Sequence, residues 1–333
     1  DDIAYGRSLG RTAKFPRDSY AFKWQDEIRE TILREIEWSP SRTGLINPVA
    51  IFDPVELEGT TVSRASVHNI SIMEELELGI GDKIEVYKAN MIIPQIAENL
   101  TRSGVKDIPK VCPVCGGKTE IRQVSNAKAL YCTNPECQAK HVKAFALFAS
   151  RDALNIEGLS EATLEKFIDR GFIKEFTDIF HLDKWQEEIQ TMEGFGEKSY
   201  ANLIANVEKA KVTTLPKVIY ALGIPGIGLA NAKVICREFS GDVDRMIHAT
   251  AEELAEIQGV GEVLAGAFVT YFQDEKHVER LKRLLKELEI PKEEESESQQ
   301  IFAGVNFVIT GSVEHFANRG EVKELIESLG GKV

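Results

Sequence analysis

Four cysteines constrain this chain more than any other feature. They stand as Cys112-Pro113-Val114-Cys115 and Cys132-Thr133-Asn134-Pro135-Glu136-Cys137, a C-x2-C-x16-C-x4-C pattern. Two close pairs separated by a short loop are what a tetrahedral four-thiolate zinc site needs, because each pair on a tight turn aims both sulfurs at one ion. Pro113, Gly116-Gly117 and Asn134-Pro135 supply the turn chemistry. The alternative is a disulfide framework, which belongs to cysteine-dense secreted scaffolds; this chain has five cysteines in 333 residues. Four thiolates leave no open coordination position, so the expected Zn2+ is structural. The pattern also divides the chain, with a β-rich region before it and a helical one after it.

The length allows two to four domains. A formal net charge of -13 argues against nucleic acid only as an average. Residues 101–150 carry eight basic side chains (Arg102, Lys106, Lys110, Lys118, Arg122, Lys128, Lys140 and Lys143) against Asp107, Glu120 and Glu136, a local net of +5. Local patches decide such binding. Neither a signal-peptide pattern nor an apolar run of membrane-span length occurs in the sequence. With reduced, metal-binding cysteines, this points to the cytoplasm and to no membrane partner.

The opening Asp1-Asp2-Ile3-Ala4-Tyr5 reads as the interior of a domain. It leads through Thr12-Ala13-Lys14-Phe15-Pro16-Arg17 to a strand-like Ser19-Tyr20-Ala21-Phe22-Lys23-Trp24. On that stretch alone, Lys23 reads as a solvated edge-strand lysine. Residues 31–38, 45–57, 60–68, 83–89 and 91–98 form five runs rich in Val, Ile and Thr, separated by turn residues. A helix-like Ile72-Met73-Glu74-Glu75-Leu76 lies between the third and fourth. That order predicts an OB-fold barrel, which commonly holds oligonucleotides. Arg42, Arg64 and His68 are exposed candidates for backbone contact; each reads equally as a surface charge.

After the cysteines a repeat appears. Gly158, Gly194, Gly226 and Gly259 lie 36, 32 and 33 residues apart, in Ile-Glu-Gly-Leu-Ser, Met-Glu-Gly-Phe-Gly, Ile-Pro-Gly-Ile-Gly and Ile-Gln-Gly-Val-Gly. An apolar residue precedes each hairpin and an amphipathic pattern follows it. These are expected to be helix–hairpin–helix units. Glycine lets a hairpin backbone approach a phosphate without Cβ obstruction. The hairpin and following helix N-terminus then donate N–H groups to the phosphate oxygens. Such contacts position a protein on DNA without reading its sequence. Gly194, Gly196, Gly226, Gly228, Gly259 and Gly261 are the candidate contacts; Ser160 replaces the second glycine of the first unit, which reads as structural. Ala232 and Ala265, four residues after the second glycine, suit close helix approach, and Cys236 reads as a buried hydrophobe.

Residues 291–300 form an acidic polar linker. Beyond it, Asn306-Phe307-Val308-Ile309-Thr310-Gly311 predicts a strand and turn, Glu321–Ile326 a helix, and Gly330-Gly331-Lys332-Val333 another strand. The 33 residues from 301 are too few to close a domain of this kind, so the sequence reads as cut at both ends.

In this order the parts resemble bacterial NAD-dependent DNA ligases over essentially the whole chain. The most specific pieces are Pro16-Arg17 with Ala21-Phe22-Lys23, Arg42-Thr43-Gly44, and Gly59-Thr60-Thr61-Val62-Ser63-Arg64-Ala65 with His68-Asn69. The four cysteines and Phe302-Ala303-Gly304 through Val333 complete the set. The resemblance implies a multidomain α+β chain. Residues 1–24 would end a nucleotidyltransferase (adenylation) domain, 25–103 form the OB-fold β-barrel and 104–140 the four-cysteine zinc module. Residues 141–290 would be an all-α domain of four helix–hairpin–helix units, 291–300 a linker, and 301–333 the start of a BRCT domain (a partial α/β fold).

The resemblance also implies an activity. A lysine takes AMP from NAD, AMP passes to the 5′-phosphate of a nick, and the 3′-hydroxyl displaces it, with Mg2+ assisting phosphoryl transfer. Replication and repair are the setting, nicked duplex DNA the partner, and a monomer near the nucleoid the working form. By matching position Lys23 resembles the family's residue at the NAD and AMP phosphate, with Arg17 near the same site; a fixed ammonium neutralises charge on a transferring phosphoryl group. The family's nucleophile lies in Lys-x-Asp-Gly, which occurs nowhere here, so this sequence is expected not to self-adenylate. Two positions depart: Lys88-Ala89-Asn90-Met91-Ile92-Ile93-Pro94 where the family has Arg-Ala-Gly-Asp before Ile-Pro, and Ser41 where a glycine precedes Arg42. A non-catalytic DNA-binding scaffold is the alternative, and residues 12–24 beside the barrel argue against it. Thr310-Gly311 sits where some BRCT domains bind phosphopeptides, or is only a turn after a strand.

Overall fold

The computed structural model describes residues 2–12, 15–19, 26–104, 108–124, 126–291, 301–302, 304–311, 313, 315–316 and 319–333. The chain forms two compact units. One comprises Asp1–Ala149 with Leu159–Lys174; the other comprises Ser150–Gly158 with Glu175–Val333.

In the first unit a short helix α1 (Ile3–Ser8) precedes β1 (Arg29–Pro40), β2 (Leu45–Leu57), β3 (Thr60–Ser66), α2 (Ile70–Glu75), β4 (Lys83–Ala89) and β5 (Ile93–Asn99). The strands follow from period-two alternation: along β2, Ile46, Ala50 and Phe52 are buried, and along β4, Ile84 and Val86. Antiparallel pairing gives the order β5-β4-β1-β2, with β3 on β2 and β3 packed beside β5. The barrel core is Leu33, Ala50, Phe52, Leu57, Ala65, Val67, Met73, Leu78, Ile84 and Val86. Helix α2 buries Met73 in the barrel core and Ile70 in a second cluster with Ile46 and the cysteines; the Asn69 side chain caps it, accepting from the Ile72 N–H at 3.1 Å.

The expected fifth run, 91–98, begins two residues later in the structure. Asn90 (φ 53°) and Met91 (φ 62°) both take positive φ in the three-residue connection between β4 and β5, residues 90–92. The third run likewise ends at Ser66, because His68 turns away at φ 61°.

Asp82 fixes the connection between α2 and β4. Its carboxylate accepts from the Gly79 N–H (2.7 Å), Asn99 Nδ2 (2.8 Å) and the Ser103 N–H (3.2 Å). Asn99 Nδ2 also donates to the carbonyls of Leu76 and Glu77. Burial acts upward on the Asp82 carboxyl, but these donors outweigh it and hold it below the usual carboxylate range.

A hairpin follows, β6 (Thr119–Val124) and β7 (Ala127–Cys132), where no strands were expected. It joins the barrel: Leu45 and Ile46 of β2 pair with Tyr131 and Leu130 of β7. Helices α3 (Gln138–Ala149) and α4 (Glu161–Asp169) complete this unit.

The second unit is helical. A 3-10 segment Phe176–Trp185 leads to α5 (Gln186–Gln190), α6 (Glu197–Ala210), α7 (Leu215–Ala221), α8 (Leu229–Glu238), α9 (Val243–Ile247), α10 (Ala251–Ala255), α11 (Glu262–Phe272) and α12 (Glu275–Glu287). Leu281 and Leu284 bury one face of α12, while Arg280 and Arg283 approach Glu175. Ala232 and Ala265 are fully buried, so helices approach closely there. Cys236 is buried with its Sγ 3.9 Å from Met246 Sδ.

Near the chain end, α13 (Arg319–Ser328) matches the expected helix. Of the expected strands, a single parallel bridge between Asn306 and Lys332 forms among the described residues. Gly311 (φ 75°) turns the chain, and its carbonyl accepts from Arg319 Nε at 2.8 Å.

Candidate metal centre and nucleic-acid interface

The two cysteine pairs converge. The Sγ atoms of Cys112, Cys115, Cys132 and Cys137 all lie within 4.8 Å of one another. Cys112 and Cys137 are 4.0 Å apart, Cys115 and Cys132 3.6 Å. A tetrahedral zinc with bonds of about 2.3 Å places its sulfurs about 3.8 Å apart, so the donor set fits this ion in kind and spacing. A disulfide needs sulfurs at about 2 Å.

Backbone chemistry builds each turn. In the first, Cys112 N–H donates to the Gly117 carbonyl (2.7 Å), and Gly116 N–H to the Cys112 carbonyl (2.9 Å). Gly116 takes φ 67°, and a Cβ on Gly117 would stand 2.9 Å from Asn134 Cβ, so both glycines are required. In the second, the Lys140 N–H donates to the Cys137 carbonyl as α3 begins, and the Lys140 ammonium donates to the carbonyls of Cys132 (3.0 Å) and Asn134 (2.8 Å).

The electrostatics favour a cation. Burial pushes the Cys132 thiol up to about 12 and Cys137 above the ordinary thiol range. Burial acts upward on Cys115 too, but the Gly117 N–H, Asn134 and neighbouring thiols draw it down to about 6. Four thiolates cannot share this space without a positive ion, and a divalent metal removes that penalty.

Three hairpins in the second unit share one geometry. Phe195 N–H donates to the Met192 carbonyl, Ile227 N–H to Ile224 and Val260 N–H to Ile257, at 2.9 to 3.1 Å. The third residue of each turn is glycine at positive φ: Gly194 (87°), Gly226 (78°) and Gly259 (94°). Gly196, Gly228 and Gly261 are then the N-caps of α6, α8 and α11, with no side-chain cap on the helix N–H groups. Met192, Ile224 and Ile257 are buried and anchor each turn. The first repeat differs chemically: Gly158 has φ 98°, but Ser160 caps α4 and accepts from the Thr163 N–H at 3.2 Å. Its hydroxyl takes an N–H of the kind a phosphate would need.

The other predicted residues are placed as follows. Lys23 lies outside the described residues. Arg17 is exposed in a turn whose N–H donates to the Gly10 carbonyl. Arg42, expected to be exposed, is half-buried in the turn between β1 and β2. Arg64, exposed on β3, pairs with Glu37 at 2.8 Å. Lys88 is 5 % exposed and donates to Thr60 Oγ1. Lys140 carries little signal in the sequence; its one local mark is a basic residue three positions after the last cysteine.

No helix among the described residues is long and apolar enough to cross a membrane. Residues 30–107 match the family model of the NAD-dependent DNA ligase OB-fold domain, and residues 217–281 that of the helix-hairpin-helix motif. The chain is 65% identical over 333 residues to a DNA ligase of Lachnoclostridium phytofermentans, covering 100% of this chain and 51% of that protein. A DNA ligase of Ruminiclostridium cellulolyticum is 62% identical with the same coverage. One of Thermosipho africanus is 40% identical over 340 aligned positions, covering 100% of this chain and 50% of that protein. The chain spans about half the length of these curated relatives.

Proposed function

We propose that this chain, which carries the OB-fold domain of the NAD-dependent DNA ligases and a helix-hairpin-helix region, is the portion of such an enzyme that grips duplex DNA at a nick. The reading is carried by the three like hairpins, each presenting uncapped helix N–H groups behind a positive-φ glycine. N–H groups so arranged suit phosphate oxygens of any sequence. The OB barrel would hold the broken strand through Arg42 and Arg64, and the hairpins would clamp the backbone on the flank.

The reaction served is sealing of a 5′-phosphate and 3′-hydroxyl, with NAD as AMP donor, Mg2+ at the phosphoryl steps, and Lys23 and Arg17 toward the AMP phosphate. A zinc ion on the four cysteines would be structural. The 333-residue chain, which contains no Lys-x-Asp-Gly, would take up no AMP from NAD. The protein would act as a monomer in the bacterial cytoplasm.

Hydroxyl-radical footprinting on a duplex with one nick tests this. The expected result is backbone protection on both sides of the nick. Protection scattered without reference to the break would contradict it.

A further inference from the structure

The turn that carries Arg42 is not held by the barrel alone. Gly44 N–H donates to the Ser41 carbonyl (2.9 Å), and Ser41 N–H to the Leu45 carbonyl (2.7 Å). Beyond these, the contacts come from the cysteine module. The Cys132 N–H donates to the Gly44 carbonyl at 2.8 Å. The next strand pair continues the join, Leu45 with Tyr131 and Ile46 with Leu130. Ile46 shares a buried core with Cys112, Cys132, Cys137 and Leu130.

Gly44 marks how close this contact is. It is buried at φ 85°, and a Cβ there would stand 2.5 Å from Lys140 Cε and 3.0 Å from the Cys132 carbonyl oxygen. The ammonium of that same Lys140 ties the Cys132 and Asn134 carbonyls together. Turn, lysine and metal-binding knuckle therefore form one packed group. Neither the turn nor the knuckle can shift without the other, because close-packed contacts transmit displacement.

We propose that the four-cysteine centre is the anchor of the Arg42 turn, with Gly44 and Lys140 as positioning residues that convert the metal-fixed knuckle into a fixed DNA contact. This rests on the reading of Arg42 as a DNA contact. On this view the metal contributes to the grip on a nick through the OB barrel, beyond stabilising its own loop.

A double-mutant cycle on the 333-residue chain tests it, with binding to a nicked duplex and zinc content measured on the same samples. Arg42→Ala is expected to weaken binding about tenfold, as for loss of a charged hydrogen bond. Gly44→Ala should retain zinc, lose a similar factor, and cost nothing further when combined with Arg42→Ala. Lys140→Met, which keeps the aliphatic packing, should show the same non-additivity and release zinc to a chelator faster than the unmutated chain. Losses that multiply, or a Gly44→Ala chain that binds as tightly as the unmutated one, would overturn the anchor while leaving the DNA reading intact. An Arg42→Ala chain with unchanged affinity would instead remove the DNA contact itself, and the inference with it.

Discussion

Asn231 on α8 donates from Nδ2 to the carbonyl of Gly259 at 3.1 Å, joining the third hairpin's helix to the fourth hairpin's turn. Its Oδ1 also accepts from the Gly228 N–H at 3.4 Å. One side chain thus spans two of the glycine turns. Asn231→Ala is expected to cost about 1 kcal/mol of stability, the net worth of one or two hydrogen bonds. It should also weaken duplex binding several-fold. Urea denaturation and a binding titration measure the two effects.

The first and second glycines of these hairpins do different work, and substitution separates them. Gly226 takes φ 78°, and a Cβ there would meet Leu264 Cδ2 at 2.7 Å. Gly226→Ala should therefore lose about 1–2 kcal/mol or more of stability. Gly196 has extended backbone, and an added Cβ would meet nothing within 4 Å. Gly196→Ala should leave stability within about 0.5 kcal/mol while lowering duplex affinity, because it adds a methyl at the N-cap of α6, where the proposed phosphate contact is made.

Acid should find the barrel through Asp82. Its carboxyl is held below the ordinary range in the folded chain, so the unfolded chain binds the proton more readily. Its contribution is complete above the unfolded value of about 3.9 and fades as pH falls through the lower folded value. Asp82→Asn puts an amide where the Gly79, Asn99 and Ser103 donors converge. It should cost about 1–3 kcal/mol at neutral pH and flatten the acid limb of a stability-against-pH curve.

Metal replacement tests the cysteine centre without reference to activity. One zinc per chain is expected by elemental analysis. Substitution with Co2+ should give the intense d–d bands of a tetrahedral ion and sulfur-to-metal charge transfer. Cys132→Ser should abolish that spectrum. A weak octahedral spectrum would contradict a four-sulfur site.

Much of this fold was legible because it is written locally. Alternation along β2 announced a half-buried strand, and Gly194, Gly226 and Gly259 announced turns that need positive φ. What was not legible depends on distant partners. Nothing near residues 119–132 signals that this hairpin would extend the barrel at Leu45 and Ile46. The pairing of Arg64 with Glu37 spans 27 residues and an intervening strand, so no spacing rule reveals it. The reach of Lys140 to the Cys132 carbonyl and Gly44 is a matter of side-chain conformation. Lys23 shows the other limit: its assignment comes from resemblance, and it lies outside the described residues.

The most direct measurement is binding of this chain to nicked and intact duplexes of the same sequence across a salt series. Tighter binding to the nick is expected, with the preference surviving moderate salt, because the OB barrel engages the break while the hairpins hold backbone phosphates. Equal affinity for both duplexes, with the same steep salt dependence, would contradict it and reduce the chain to a backbone clamp.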